Sequence, residues 1–160
     1  PDGHYTLVEL PGMWKFFGEI KNKQLYDGTI KWFNGGMFKG KFDDNSRPKE
    51  GSYHQLHKQA NRVLKMVFED KCQFKDGEIV GGGRKIYEER DEHGEAFAKL
   101  ISTYNGQFKR GKAEGVGVYK TAGILYKGEF KNNLFEGVGK LTVFNKPNSK
   151  DEWIMEGHFK

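Results

Sequence analysis

Apolar and polar residues alternate with a period of two along most of the chain, and many of the apolar-side positions are glycine. In an extended strand, residues i, i+2 and i+4 share a face. Tyr104, Gly106 and Phe108 therefore point one way, and Asn105, Gln107 and Lys109 the other. Lys109-Arg110-Gly111-Lys112 follows, with glycine where a tight turn requires φ > 0. Gly115-Val116-Gly117-Val118-Tyr119 then returns, again placing Gly, Gly and Tyr on one face. The pattern predicts a β-hairpin with rings and glycines on one side and polar groups on the other. Arg62–Phe68 alternates Leu64, Met66 and Phe68 against Val63, Lys65 and Val67, which predicts a strand with both faces partly covered. Period-two patterning leaves no place for a long α-helix, so the expected fold is all-β.

This hairpin recurs. Tyr104-Asn-Gly106-Gln-Phe108-Lys109 returns 22 residues later as Tyr126-Lys-Gly128-Glu-Phe130-Lys131, and the same spacing links Phe16-Phe-Gly18-Glu-Ile20 to Phe38-Lys-Gly40-Lys-Phe42. Met155-Glu-Gly157-His-Phe159 is a further half-copy. Downstream glycines keep fixed offsets: Gly111, Gly115 and Gly117 after Phe108, Gly137 and Gly139 after Phe130, and Gly77, Gly81 and Gly83 after Phe74. With Asn45 and Gly51 after Phe42, four copies share these offsets, which is not chance. A lone hairpin is marginal in water, so the units are expected to stack edge to edge in one elongated, single-layer curved antiparallel sheet. The expected units are about 14–37, 38–60, 66–87, 104–125, 126–150 and a partial one at 153–160, forming one array taken from a longer chain.

These residues resemble the MORN repeat (membrane occupation and recognition nexus), whose pattern is close to Tyr-x-Gly-x-Phe/Trp-Lys-x-Gly-x-x-x-Gly-x-Gly. Tyr104–Tyr119 and Tyr126–Leu141 fit it almost position by position. The resemblance makes Gly18, Gly40, Phe42, Phe74, Gly81, Gly83, Tyr104, Gly106, Phe108, Gly115, Gly117, Tyr126, Gly128, Phe130, Gly137, Gly139 and Gly157 the repeat-defining positions. Departures are visible: Asp70 and Cys72 stand where the third copy should carry Tyr and Gly, and Lys23 stands at the first copy's turn glycine. Extra length near Tyr53–Asn61, Tyr87–Thr103 and Asn145–Asp151 reads as insertions that break the regular surface.

Composition narrows the function more than it names it. Aromatics make up 14% of the 160 residues, which argues against disorder. The net charge of +5 is dispersed: residues 1–80 hold 13 Lys and Arg against 11 Asp and Glu, and residues 81–160 hold 14 against 11. No basic block marks a nucleic-acid interface, and dispersed lysines support at most weak contact with anionic lipid. The longest uncharged stretch, Leu100–Phe108, is too short and polar for a transmembrane helix. A single cysteine, Cys72, excludes an internal disulfide framework, and its slot in the repeat predicts a buried, inert thiol.

Candidate chemistry thins out on inspection. Gly28-Thr-Ile-Lys-Trp32-Phe-Asn looks like the opening strand of a cold-shock domain, but Gly35-Gly-Met-Phe38-Lys-Gly40 continues the repeat instead. Gly81-Gly-Gly83-Arg84-Lys85 lacks the Ser or Thr that closes a P-loop. His54 and His57 have no further ligands to complete a zinc site. Catalytic residues, cofactors and metals are therefore all expected to be none. The repeats imply a scaffold that presents its sheet to other proteins of a large cytoskeletal assembly, ciliary or axonemal like a radial spoke, in the cytoplasm. The alternative is a lipid- or partner-sensing regulatory module of a larger enzyme, such as a phosphoinositide kinase or methyltransferase. The acidic run Glu88–Glu95, followed by Phe97, Leu100 and Ile101, marks Arg84–Thr103 as the expected docking segment. Glu88, Glu89, Asp91 and Glu92 would meet a basic surface there, with the apolar residues as anchors.

Overall fold

A computed structural model describes residues 5–59, 62–76, 78–90, 99–146, 150 and 152–160. Twelve strands run through them: β1 (Tyr5–Leu10), β2 (Trp14–Lys21), β3 (Gln24–Trp32), β4 (Met37–Phe42), β5 (Pro48–Gln59), β6 (Arg62–Lys75), β7 (Glu78–Arg90), β8 (Lys99–Lys109), β9 (Lys112–Thr121), β10 (Ile124–Lys131), β11 (Leu134–Phe144) and β12 (Glu152–Phe159). They form one antiparallel sheet in strict chain order. No helix occurs among the described residues. The all-β array of stacked hairpins read from the sequence is the fold.

Three hairpins close through two-residue turns with both residues at positive φ. These are Asn22 and Lys23 (50° and 64°), Arg110 and Gly111 (53° and 71°), and Asn132 and Asn133 (49° and 69°). Paired left-handed residues give the turn whose twist matches the flanking strands. Gly and Asn enter that region at small cost, whereas Lys23 does so against its Cβ. The turns are also stitched to the preceding hairpin. Asn133 donates its backbone N–H to the Ala113 carbonyl (3.1 Å) and accepts the Ala113 N–H on Oδ1 (2.8 Å). Gly111 donates to the Ile79 carbonyl at 2.8 Å.

A seam of glycines crosses the strands. Gly18, Gly28, Gly40 and Gly51 face one another in turn, ending at Cys72. On the other side Gly83, Gly106, Gly117, Gly128, Gly139 and Gly157 do the same. The seam exists because rings lie on it: a Cβ on Gly117 would sit 2.5 Å from Cε2 of Tyr104. Where the seam is broken, Cys72 is fully buried and its Sγ fills the space that a Cβ on Gly83 would occupy, at 2.5 Å.

Ring packing follows one rule from hairpin to hairpin. The first-strand aromatic of each unit meets, edge to face, the later aromatic of the next unit's first strand. The pairs are Phe16–Phe42 (5.5 Å), Phe38–Phe74 (5.3 Å), Phe68–Phe108 (5.4 Å), Tyr104–Phe130 (4.9 Å) and Tyr126–Phe159 (5.2 Å). Edge-to-face geometry at these distances suits the ring quadrupoles. Two buried clusters result. One is centred on Phe16, Ile30, Phe38 and Phe42, the other on Phe68, Cys72, Tyr104, Phe108, Tyr126 and Phe130.

One departure is resolved and one expectation corrected. The third unit's ring is supplied by Phe68: a register shift between β5 and β6 carries the pairing from Gly51↔Cys72 to Tyr53↔Phe68. The described residues of the extra lengths at 53–61 and 87–103 continue the sheet rather than breaking it. β5 and β6 stay paired to Gln59↔Arg62, and β7 pairs with β6 to Val63↔Arg90 and with β8 to Glu89↔Lys99. Lengthened ladders satisfy backbone N–H and C=O groups that an irregular loop would leave to water.

Candidate docking face

The face that carries the rings is where side chains of functional interest converge. Strand pairing aligns Phe38, Tyr53, Phe68, Lys85, Tyr104, Tyr119 and Tyr126 in one row across β4 to β10. Not all of them are covered. Phe38, Phe68, Tyr104 and Tyr126 are buried, whereas Tyr53, Lys85 and Tyr119 are half-exposed, as are Trp32, Tyr87 and Phe135 around them. An aromatic surface therefore remains above the core.

Two open hollows shape that surface. One of about 440 Å³ is walled by Lys85, Tyr87, Tyr104, Tyr119, Leu134 and Phe135. A second of about 520 Å³ runs among Trp32, Tyr53, Met66, Phe68, Phe74 and again Lys85. Lys85 stands on the ridge between them. Its Nζ lies 4.8 Å from the Tyr87 ring centroid and 5.2 Å from that of Phe68, within cation–π range. The rim of the second hollow carries Glu78 and Arg110, which approach each other at 3.9 Å.

The tyrosines in this surface are pins, not reagents. Tyr104 donates its hydroxyl to the Gln107 carbonyl at 2.7 Å, and Tyr126 donates to the Glu129 carbonyl at 3.0 Å. Burial pushes the Tyr104 phenol up to about 12, and burial with the nearby Glu129 charge raises that of Tyr126. Burial likewise raises Tyr53, whose hydroxyl donates to Gln55 Oε1 at 2.5 Å. All three stay protonated at neutral pH, so none is a ready nucleophile or base. Among the described residues, no group of three or more His, Cys, Asp or Glu is placed to hold a metal ion. No helix among them is long and apolar enough to cross a membrane. The opposite face is more polar. There Lys140 Nζ lies 2.7 Å from Glu156 Oε1, and the hydrogen bond it donates to that carboxylate raises the lysine's pKa.

Four of the residues expected to dock a partner lie together at one end of the β7–β8 ladder. Glu88 and Glu89 lie in β7, opposite Leu100 and Lys99 of β8. Leu100 is exposed and Ile101 half-buried. Asp91, Glu92 and Phe97 lie outside the described residues. Sequence reasoning passed over Tyr53, Phe68, Lys85, Tyr87 and Tyr119 as a group. The signal was present. Gly81-x-Gly83-x-Lys85 copies the spacing of Gly115-x-Gly117-x-Tyr119, which puts Lys85 in a slot that other units fill with Tyr or Leu.

A family model for the MORN repeat matches residues 104–122 and 126–142. Those spans coincide with the β8–β9 and β10–β11 hairpins, from the ring-row Tyr104 and Tyr126 onward. No curated protein matches the chain significantly.

Proposed function

Because this chain is a MORN-repeat protein, we propose that it is a non-catalytic scaffold whose aromatic face docks other proteins of a large cytoskeletal assembly, a ciliary or axonemal complex in the cytoplasm. MORN repeats are generally non-catalytic modules for protein interaction or membrane binding. The observation that carries the protein-docking reading is the half-exposed aromatic surface around the two hollows, formed by Trp32, Tyr53, Tyr87, Tyr119 and Phe135. Exposed aromatics of this kind supply large contact area at low cost in side-chain entropy. Dispersed charge on the opposite face gives an anionic membrane no cluster to grip. Affinity capture from native extract at gentle salt tests the reading. Recovery of tubulin-associated proteins supports it. Recovery of lipid-modifying enzymes alone, together with salt-resistant binding to phosphoinositide vesicles, overturns it in favour of a regulatory module.

A further inference from the structure

The cross-strand row on the aromatic face is apolar at nearly every strand. β3, β5, β9 and β11 contribute Ile30, Tyr53, Tyr119 and Leu141 at the slot where β7 contributes Lys85. A lysine here is costly. Its neighbours across the ladder are Phe68 and Tyr104, and Tyr87 lies two residues along the same strand. Rings hold the ammonium from two sides, but no carboxylate among the described residues forms an ion pair with it. The acidic group that lines the second hollow, Glu78, is already turned to Arg110. A cation set in an apolar, partly desolvated surface interacts strongly with any opposite charge brought to it, because water screens the pair poorly there.

We propose that Lys85 is the specificity point of the docking face: it selects a partner segment that carries one internal aspartate or glutamate between apolar side chains. The inference rests on the docking reading above and names the chemistry of its partner. Each hollow accepts apolar side chains, and the ridge between them presents the positive charge, so the complement is apolar, acidic, apolar in succession. A single ammonium also argues against polyanions. Nucleic acid and anionic membrane surfaces draw on several Lys or Arg side chains at once, and the two hollows offer one between them apart from the paired Arg110. Tyr87 on the wall of the first hollow brings a phenol hydroxyl within reach of a peptide backbone.

The test is selection from a random twelve-residue peptide library, displayed with its C-terminal end fused so that only side chains supply carboxylates. The protein, Lys85→Glu, Lys85→Met and Tyr119→Ala are panned in parallel, after melting curves show that each variant folds. The unsubstituted protein should enrich peptides with a single Asp or Glu flanked by aromatic or aliphatic residues. Lys85→Glu should enrich Lys or Arg at that position, and Lys85→Met should enrich neither. In an enriched peptide, replacing the Glu by Gln should weaken binding about threefold to fivefold, as loss of one ion pair still open to water does. If the protein and Lys85→Glu enrich the same peptides while Tyr119→Ala loses them, the face docks partners but the role of Lys85 is wrong. If enriched peptides ignore Lys85 and Tyr119 alike, the docking face itself is wrong. Failure to enrich any peptide overturns the inference.

Discussion

The hairpin of β6 and β7 and the two hairpins of β8 to β11 perform the same packing task with different residues. In the β8–β11 pair, Tyr104 and Tyr126 lie over the glycine seam, and each phenol is tied to a carbonyl three residues on. In the β6–β7 hairpin the ring is Phe68, the seam holds Cys72, and the return strand carries Lys85 where a tyrosine stands in β9. The Phe68–Phe108 contact, at 5.4 Å, is nonetheless as close as its counterparts. What the sheet preserves is the ring-to-ring contact between neighbouring hairpins, not the residue or its position in the motif. Freed from the motif, the middle hairpin exposes a charge where the regular pair carries Tyr119 and Leu141.

The largest effect should come from removing the substitute ring. Phe68→Ala deletes the contacts to Phe108 and Tyr53 in a buried site and should cost about 4 kcal/mol in urea unfolding. Adding Asp70→Tyr to that variant restores the motif residue but should not restore stability. Recovery would mean that the ring slot is residue 70 after all. Next is alkaline pH. Tyr104 is held at about 12 when folded, against 10.0 when unfolded. Its contribution is fully present below pH 10 and is lost as pH rises towards 12, because there the unfolded chain has released a proton that the folded chain retains. About 2–3 kcal/mol should disappear over that window. Tyr104→Phe should flatten this decline, measured as the urea midpoint against pH.

Gly117→Val should cost about 2 kcal/mol by driving side-chain atoms into the Tyr104 ring. Gly82→Val, in the middle hairpin, should cost less, since no atom lies within 4 Å of a Cβ there. Equal losses would remove the distinction between seam glycines and other strand glycines. The smallest effect runs the other way. Lys23→Gly should raise stability by about 1 kcal/mol, because Lys23 occupies a left-handed turn conformation at φ 64°. A fall in melting temperature would mean that the lysine side chain contributes more than its backbone strain costs.

The regular hairpins could be read from residues alone because their turn, seam and rings recur at fixed offsets, and each offset has a geometric cause. Gly111 and Asn133 needed positive φ, and Gly106 and Gly128 needed to be bare. The middle hairpin was harder. A bulge in β6 shifts the ring from Asp70 to Phe68, and a bulge alters register without marking its position in the sequence. The added lengths at 53–61 and 87–103 looked like loops because they exceed the repeat. A strand can absorb extra residues simply by growing while its partner grows with it. Lys85 was overlooked for a related reason: beside three glycines it suggested a phosphate loop, which drew attention from the Gly-x-Gly-x spacing that puts it in a row with rings.

Strict chain order has a consequence for how the molecule comes into being. The ladders join no residues further apart in sequence than pairs such as Val63 with Arg90 or Gly81 with Phe108. Each strand thus finds its partner within a short span of newly made chain, and every completed hairpin offers a template for the next. Local connectivity of this kind favours fast folding that advances with synthesis from the amino terminus. Once the chain has emerged from the ribosome as far as Thr121, the β8–β9 hairpin can close on what preceded it, with Tyr104 waiting for Phe130 to arrive.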